Sequence, residues 1–143
     1  MANNTVDLTN SNPDQKFISQ LEKATLDLLW FSEAEYPLQV IYWNDLEHFD
    51  EHILLEKAGY SSETKIEIKE FQAFFDPATK KETWHNQAEQ AEVEKYRVLV
   101  DLLTQNLTNI KVYLLGEVEI DAYILGETEH EAIAGLATKI VFT

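Results

Sequence analysis

Glu117-Val118-Glu119-Ile120-Asp121-Ala122-Tyr123-Ile124 alternates without a break, and its reading decides the fold. In an extended chain Val118, Ile120, Ala122 and Ile124 share one face and Glu117, Glu119, Asp121 and Tyr123 the other, the pattern of a half-buried strand. Gly126 and the polar run Glu127 to Glu131 interrupt it. Alternation resumes from Ala132 to Thr143, with Leu136, Ile140 and Phe142 set against Lys139 and Thr143. A strand that runs to Thr143 would deliver an α-carboxylate to one rim of the sheet, aimed by the ladder.

Upstream, Asn12-Pro13 with Gln15 reads as a helix start, the side chain of Asn12 capping and Pro13 in the first turn. Phe17, Leu21, Ala24 and Leu28 then repeat at helical spacing, predicting a helix to about Trp30 with one face on a sheet. Phe31 to Pro37 reads as a loop, because Pro37 cannot donate to a ladder or continue a helix. Leu38 to Trp43 is β-branched and aromatic, a strand. A helix ending at Gly59 follows the acidic segment around His48 and His52. Lys65 to Lys69 alternates as a short strand, Glu70 to Phe75 suits a helical turn, and Pro77 to Asn86 reads as a polar loop containing Trp84. Asn86 with Glu89 forms a capping-box pattern ahead of Val93, Tyr96, Val100, Leu103 and Leu107, the longest helix, ending near Asn109. Three or four strands with helices packed on them give an α+β class.

The 143 residues suit one core, expected over residues 13–143 behind a mobile tail at residues 1–12. Against 26 acidic residues stand only 11 basic ones, a formal net charge of −15. Such a surface repels phosphate backbones and favours basic protein partners, so nucleic-acid binding is not expected. There are no cysteines, which removes disulfides and thiol chemistry. The polar start lacks the features of a secretory signal, and no apolar run approaches the ~20 residues that span a bilayer, so a cytoplasmic location without membrane contact is expected.

Candidate chemistry is sparse. His48 and His52 are four apart beside Asp50 and Glu51, which resembles half a zinc site, but no third ligand is signalled and a solvated helix face is the better reading. Glu33 and Glu35 could divide acid and base roles only if their environments differed, and Glu117, Glu119 and Asp121 read as the wet side of a sheet. No phosphate loop or nucleophile elbow is present.

Three ordered blocks, Leu29-Trp30-Phe31-Ser32-Glu33-Ala34-Glu35-Tyr36-Pro37, the segment from Phe74-Phe75 to Trp84, and Leu115 to Thr128, together with Ala134 to Val141 and Thr143, resemble the nuclease A inhibitor family, cyanobacterial inhibitors of a sugar-nonspecific nuclease. The resemblance implies a three-layer α-β-α sandwich around a mainly antiparallel sheet. It also implies a protein that blocks the active site of a basic, magnesium-dependent nuclease by direct contact. Glu33 matches the family's interface glutamate, with Glu35 beside it, and Trp84 the interface tryptophan. Thr143 matches the terminal threonine presented to the nuclease's magnesium. Thr83 stands where the family pattern has an acidic residue, and Phe142 where it has a polar one.

The expectation is therefore a nuclease inhibitor, not an enzyme, monomeric when free. It would hold no cofactor of its own and meet only the partner's magnesium in the complex. The competing expectation is an acidic binding module for another basic protein.

Overall fold

The computed structural model describes residues 12–141. The expected tail, apart from Asn12, lies outside them, as do Phe142 and Thr143. In chain order the elements are α1 (Gln15–Thr25), β1 (Leu29–Phe31), β2 (Glu35–Pro37), β3 (Gln39–Trp43), α2 (Glu51–Ala58), β4 (Ile66–Lys69), α3 (Phe71–Thr79), α4 (Gln87–Asn106), β5 (Thr108–Leu115), β6 (Glu119–Glu127) and β7 (Ile133–Val141). Strands β3-β7-β6-β5-β4 form one five-stranded sheet, antiparallel at every pairing, and β1-β2 forms a separate two-stranded ribbon. The class is mixed α+β, as expected.

Period-two alternation divides the core in two. On one face Val112 and Leu114 of β5, Ala122 and Ile124 of β6, and Leu136 and Ile140 of β7 pack with residues of α1, α3 and α4. On the other, Tyr113 and Leu115 of β5, Leu125 of β6 and Ile133 of β7 pack with Leu54 and Leu55 of α2. Helices thus contribute to clusters on both faces, consistent with the three-layer expectation. On the face expected to be wet, Glu117 and Glu119 are exposed, while Asp121 and Tyr123 are half-buried, Tyr123 packing against the second cluster and the Tyr60 hydroxyl donating a hydrogen bond to Asp121. Val118 is 63% exposed and precedes the strand that was expected to include it.

Local chemistry explains the other differences. The capping box expected at α4 is present, with the Asn86 side chain accepting from the Glu89 amide at 2.8 Å and the Glu89 carboxylate from the Asn86 amide at 2.9 Å. α2 ends at Gly59, whose φ of 81° is the left-handed value glycine adopts without strain. α1 stops at Thr25 rather than near Trp30, since Leu29–Phe31 is drawn into extended pairing with Glu35–Pro37. Phe31 to Pro37, expected to be a loop, instead holds the end of β1 and all of β2. Pro37 is tolerated because its ribbon has only two strands. α3 runs past Pro77 to Thr79 rather than ending near Phe75. Burial of Phe71, Phe74 and Phe75 holds it, and the Arg97 side chain donates to the Thr79 carbonyl at 2.7 Å, satisfying one terminal carbonyl. α4 ends at Asn106, and β5 begins almost at once.

Candidate functional site

The β1-β2 ribbon is held by aromatic packing. Trp30 stacks on Phe74 with ring centroids 4.6 Å apart and meets Phe75 and Tyr96 edge-on at 5.5 and 5.7 Å. The Tyr96 hydroxyl donates to the Leu29 carbonyl at 2.5 Å. Burial, with the Glu92 charge second, raises the Tyr96 pKa well above the ordinary phenol value, so it remains a donor at neutral pH. The ribbon is thereby tied to α3 and α4.

Its three-residue turn, Ser32-Glu33-Ala34, is closed by the Ser32 amide and hydroxyl, which donate to the Ala34 carbonyl at 3.0 and 3.2 Å. The same turn grips the end of β7. The Glu33 amide donates to the Val141 carbonyl at 3.1 Å, and the Val141 amide donates to the Ser32 hydroxyl oxygen at 2.9 Å. Glu33 and Glu35 are both exposed, Glu33 at the turn and Glu35 in the ladder opposite Phe31.

A second turn carries Trp84. The Glu82 amide donates to Nδ1 of His85 at 3.0 Å and the His85 amide to the Glu82 carbonyl at 3.2 Å, leaving Thr83 and Trp84 at the tip. Trp84 is 71% exposed and its ring meets the His85 ring edge-on at 4.3 Å. Just before the turn, Lys81 pairs with Glu94 of α4 at 2.7 Å and lowers the Glu94 pKa.

A cleft of about 380 Å³ is lined by Trp30, Phe31, His85, Glu89, Glu92 and Tyr96, among others. Phe31 immediately precedes the Glu33 turn, and His85 immediately follows Trp84. The structure therefore connects the end of β7 to the Glu33 turn by hydrogen bonds, and the Glu33 turn to the Trp84 turn through shared cleft walls. Thr143 lies outside the described residues, two positions beyond Val141. Sequence reasoning missed the gripping role of Ser32 and the cleft itself. The aromatic pair Trp30-Phe31 beside a turn was the available signal.

His48 and His52 are exposed; His48 Nε2 lies 3.6 Å from Asp50, whose carboxylate also accepts from the Ile53 amide at 2.9 Å as the cap of α2. Among the described residues no group of three or more His, Asp or Glu is placed to hold a metal ion. No helix among them is long and apolar enough to cross a membrane.

Fold and surface together define an acidic α+β protein with an exposed carboxylate turn and an exposed indole, each adjoining in sequence a residue that lines one cleft. The family model of nuclease A inhibitor-like proteins matches residues 15–143, and the chain belongs to that family. No curated protein matches the chain.

Proposed function

We propose that the protein inhibits a sugar-nonspecific, magnesium-dependent nuclease by occupying its active site. The observation that carries this reading is the pair of hydrogen bonds joining the Glu33 turn to Val141, which sets an acidic side chain beside the strand end that leads to Thr143. A nuclease that holds phosphate around a metal is basic there, and a protein of formal net charge −15 is attracted to it before contact. Glu33 meets a cationic group of the nuclease, and Trp84 is a second anchor, with Thr83 beside it. The carboxylate and hydroxyl of Thr143 are hard oxygen donors of the kind magnesium accepts in place of water. The protein brings no cofactor and acts as a monomer in the cytoplasm.

The test is titration of a purified sugar-nonspecific endonuclease, with magnesium, against this protein. Stoichiometric loss of nuclease activity is expected. Undiminished activity at a large molar excess, with several such enzymes, would leave the binding-module reading in its place.

A further inference from the structure

The cleft has a composition of its own. Trp30, Phe31 and Tyr96 supply aromatic walls, and Phe31 is 60% exposed although it is a large apolar side chain. Glu89 and Glu92 stand on the α4 side, one turn apart, with His85 also in the wall, and among the described residues no lysine or arginine lines the cleft. Oε1 of Glu89 accepts from the Asn86 amide, and Oε1 of Glu92 lies 3.8 Å from the Lys95 ammonium. A volume of about 380 Å³ lies near the lower end of the ~300–1,000 Å³ typical of small-ligand sites. That suits one long side chain.

We propose that this cleft is a binding site for an arginine side chain presented by a basic protein partner. A guanidinium is flat, weakly hydrated and stacks on aromatic faces, while its fork of donors reaches carboxylates. Its aliphatic stem covers the apolar wall. An anion would face two glutamates, and a purely apolar side chain would gain nothing from their charge. Lysine offers a compact, strongly hydrated charge that gains less from the aromatic walls. The inference rests on the proposed inhibition only in taking the partner to be basic; the cleft's ligand chemistry can be read without any nuclease.

The experiment uses the full chain and three blocked tripeptides, acetyl-Gly-Xaa-Gly-amide, with arginine, citrulline or leucine at the centre. ¹H–¹⁵N spectra would follow the amides of Phe31, Ala78, Glu92 and Val93 and the Trp30 indole. The arginine peptide should shift these signals saturably, and the citrulline and leucine peptides should bind at least about fivefold more weakly. Glu89→Gln combined with Glu92→Gln should cost the arginine peptide about fivefold, while glutamine keeps the capping box and the thermal midpoint confirms folding. Equal binding of all three peptides, shifts centred elsewhere, or no saturable shift would overturn the proposal. The nuclease titration separates the two claims: inhibition without arginine-peptide binding removes the cleft's role alone, and arginine-peptide binding without inhibition removes only the nuclease reading.

Discussion

Glu33 donates its backbone N–H to the carbonyl of Val141 at 3.1 Å, which ties a turn in the first third of the chain to the end of its last described strand. Ser32 completes the junction by accepting from the Val141 amide while donating to Ala34. Ser32→Ala should lower stability by about 1 kcal/mol, the usual worth of such a bond, and should weaken nuclease inhibition as the strand end loosens. Urea unfolding and inhibition titrations would show this. Unchanged inhibition would mean that the junction does not position the contact surface.

Charge reversal separates the two loop carboxylates. Glu33→Lys is expected to weaken inhibition far more than Glu35→Lys, by roughly two powers of ten, because like charges at an interface cost several kcal/mol. Equal inhibition constants for the two variants would refute the assignment of Glu33.

Trp84 is so exposed that truncating it removes little packing within the chain. Trp84→Ala should hold its thermal midpoint close to that of the parent while losing on the order of 2 kcal/mol of nuclease affinity, as aromatic interface anchors do. Calorimetric unfolding beside binding measurements checks both halves. A fall in midpoint with unchanged affinity would make it a structural residue.

Appending Gly-Ser after Thr143 turns its carboxylate into an amide. The extended protein should fold as the parent does and inhibit much more weakly, with the deficit greatest when magnesium is present. Identical inhibition with and without magnesium would deny Thr143 a role at the metal.

Tyr60 has its pKa raised from 10.0 to about 12, first by burial and then by its hydrogen bond to Asp121. A folded-state pKa above the unfolded value means that the stabilisation is complete below pH 10 and is lost as pH rises to about 12. The stability gap between the parent and Tyr60→Phe should therefore be constant near about pH 8 and shrink above pH 10. Urea midpoints across that range test it, and a gap that never narrows would contradict it.

What could be read from the residues followed how locally their interactions are made. β6, β7 and the α4 capping box were legible because each is written in alternation or in a four-residue signature. β1 and β2 were not, since three-residue strands carry no period and Trp30 is held by rings some forty residues or more away in sequence. The helix was expected to end near Asn109 and so took in the first two residues of β5, while Val112, Tyr113, Leu114 and Leu115 are all buried and form an apolar run with no alternation to mark a strand. Pro77 suggested a break that the buried aromatics of α3 override. The loops bearing Glu33 and Trp84 could be matched to a family by their residues. The cleft that both adjoin in sequence is tertiary, assembled from segments near residues 30, 77 and 90, and leaves no mark in any one window.

The strand order β3-β7-β6-β5-β4 has a consequence for synthesis. β3 leaves the ribosome early, yet its ladder partner among the described residues, β7, is the last described strand to emerge. Until then β3 has no partner in the sheet and β6 keeps an open edge toward the position β7 will fill. The Glu33 turn likewise waits for Val141. A nascent chain can thus form its early helices but cannot close the sheet or assemble the contact surface. Competence arrives late and all at once, so a stalled or prematurely ended chain would expose unpaired strands instead of a weakened inhibitor.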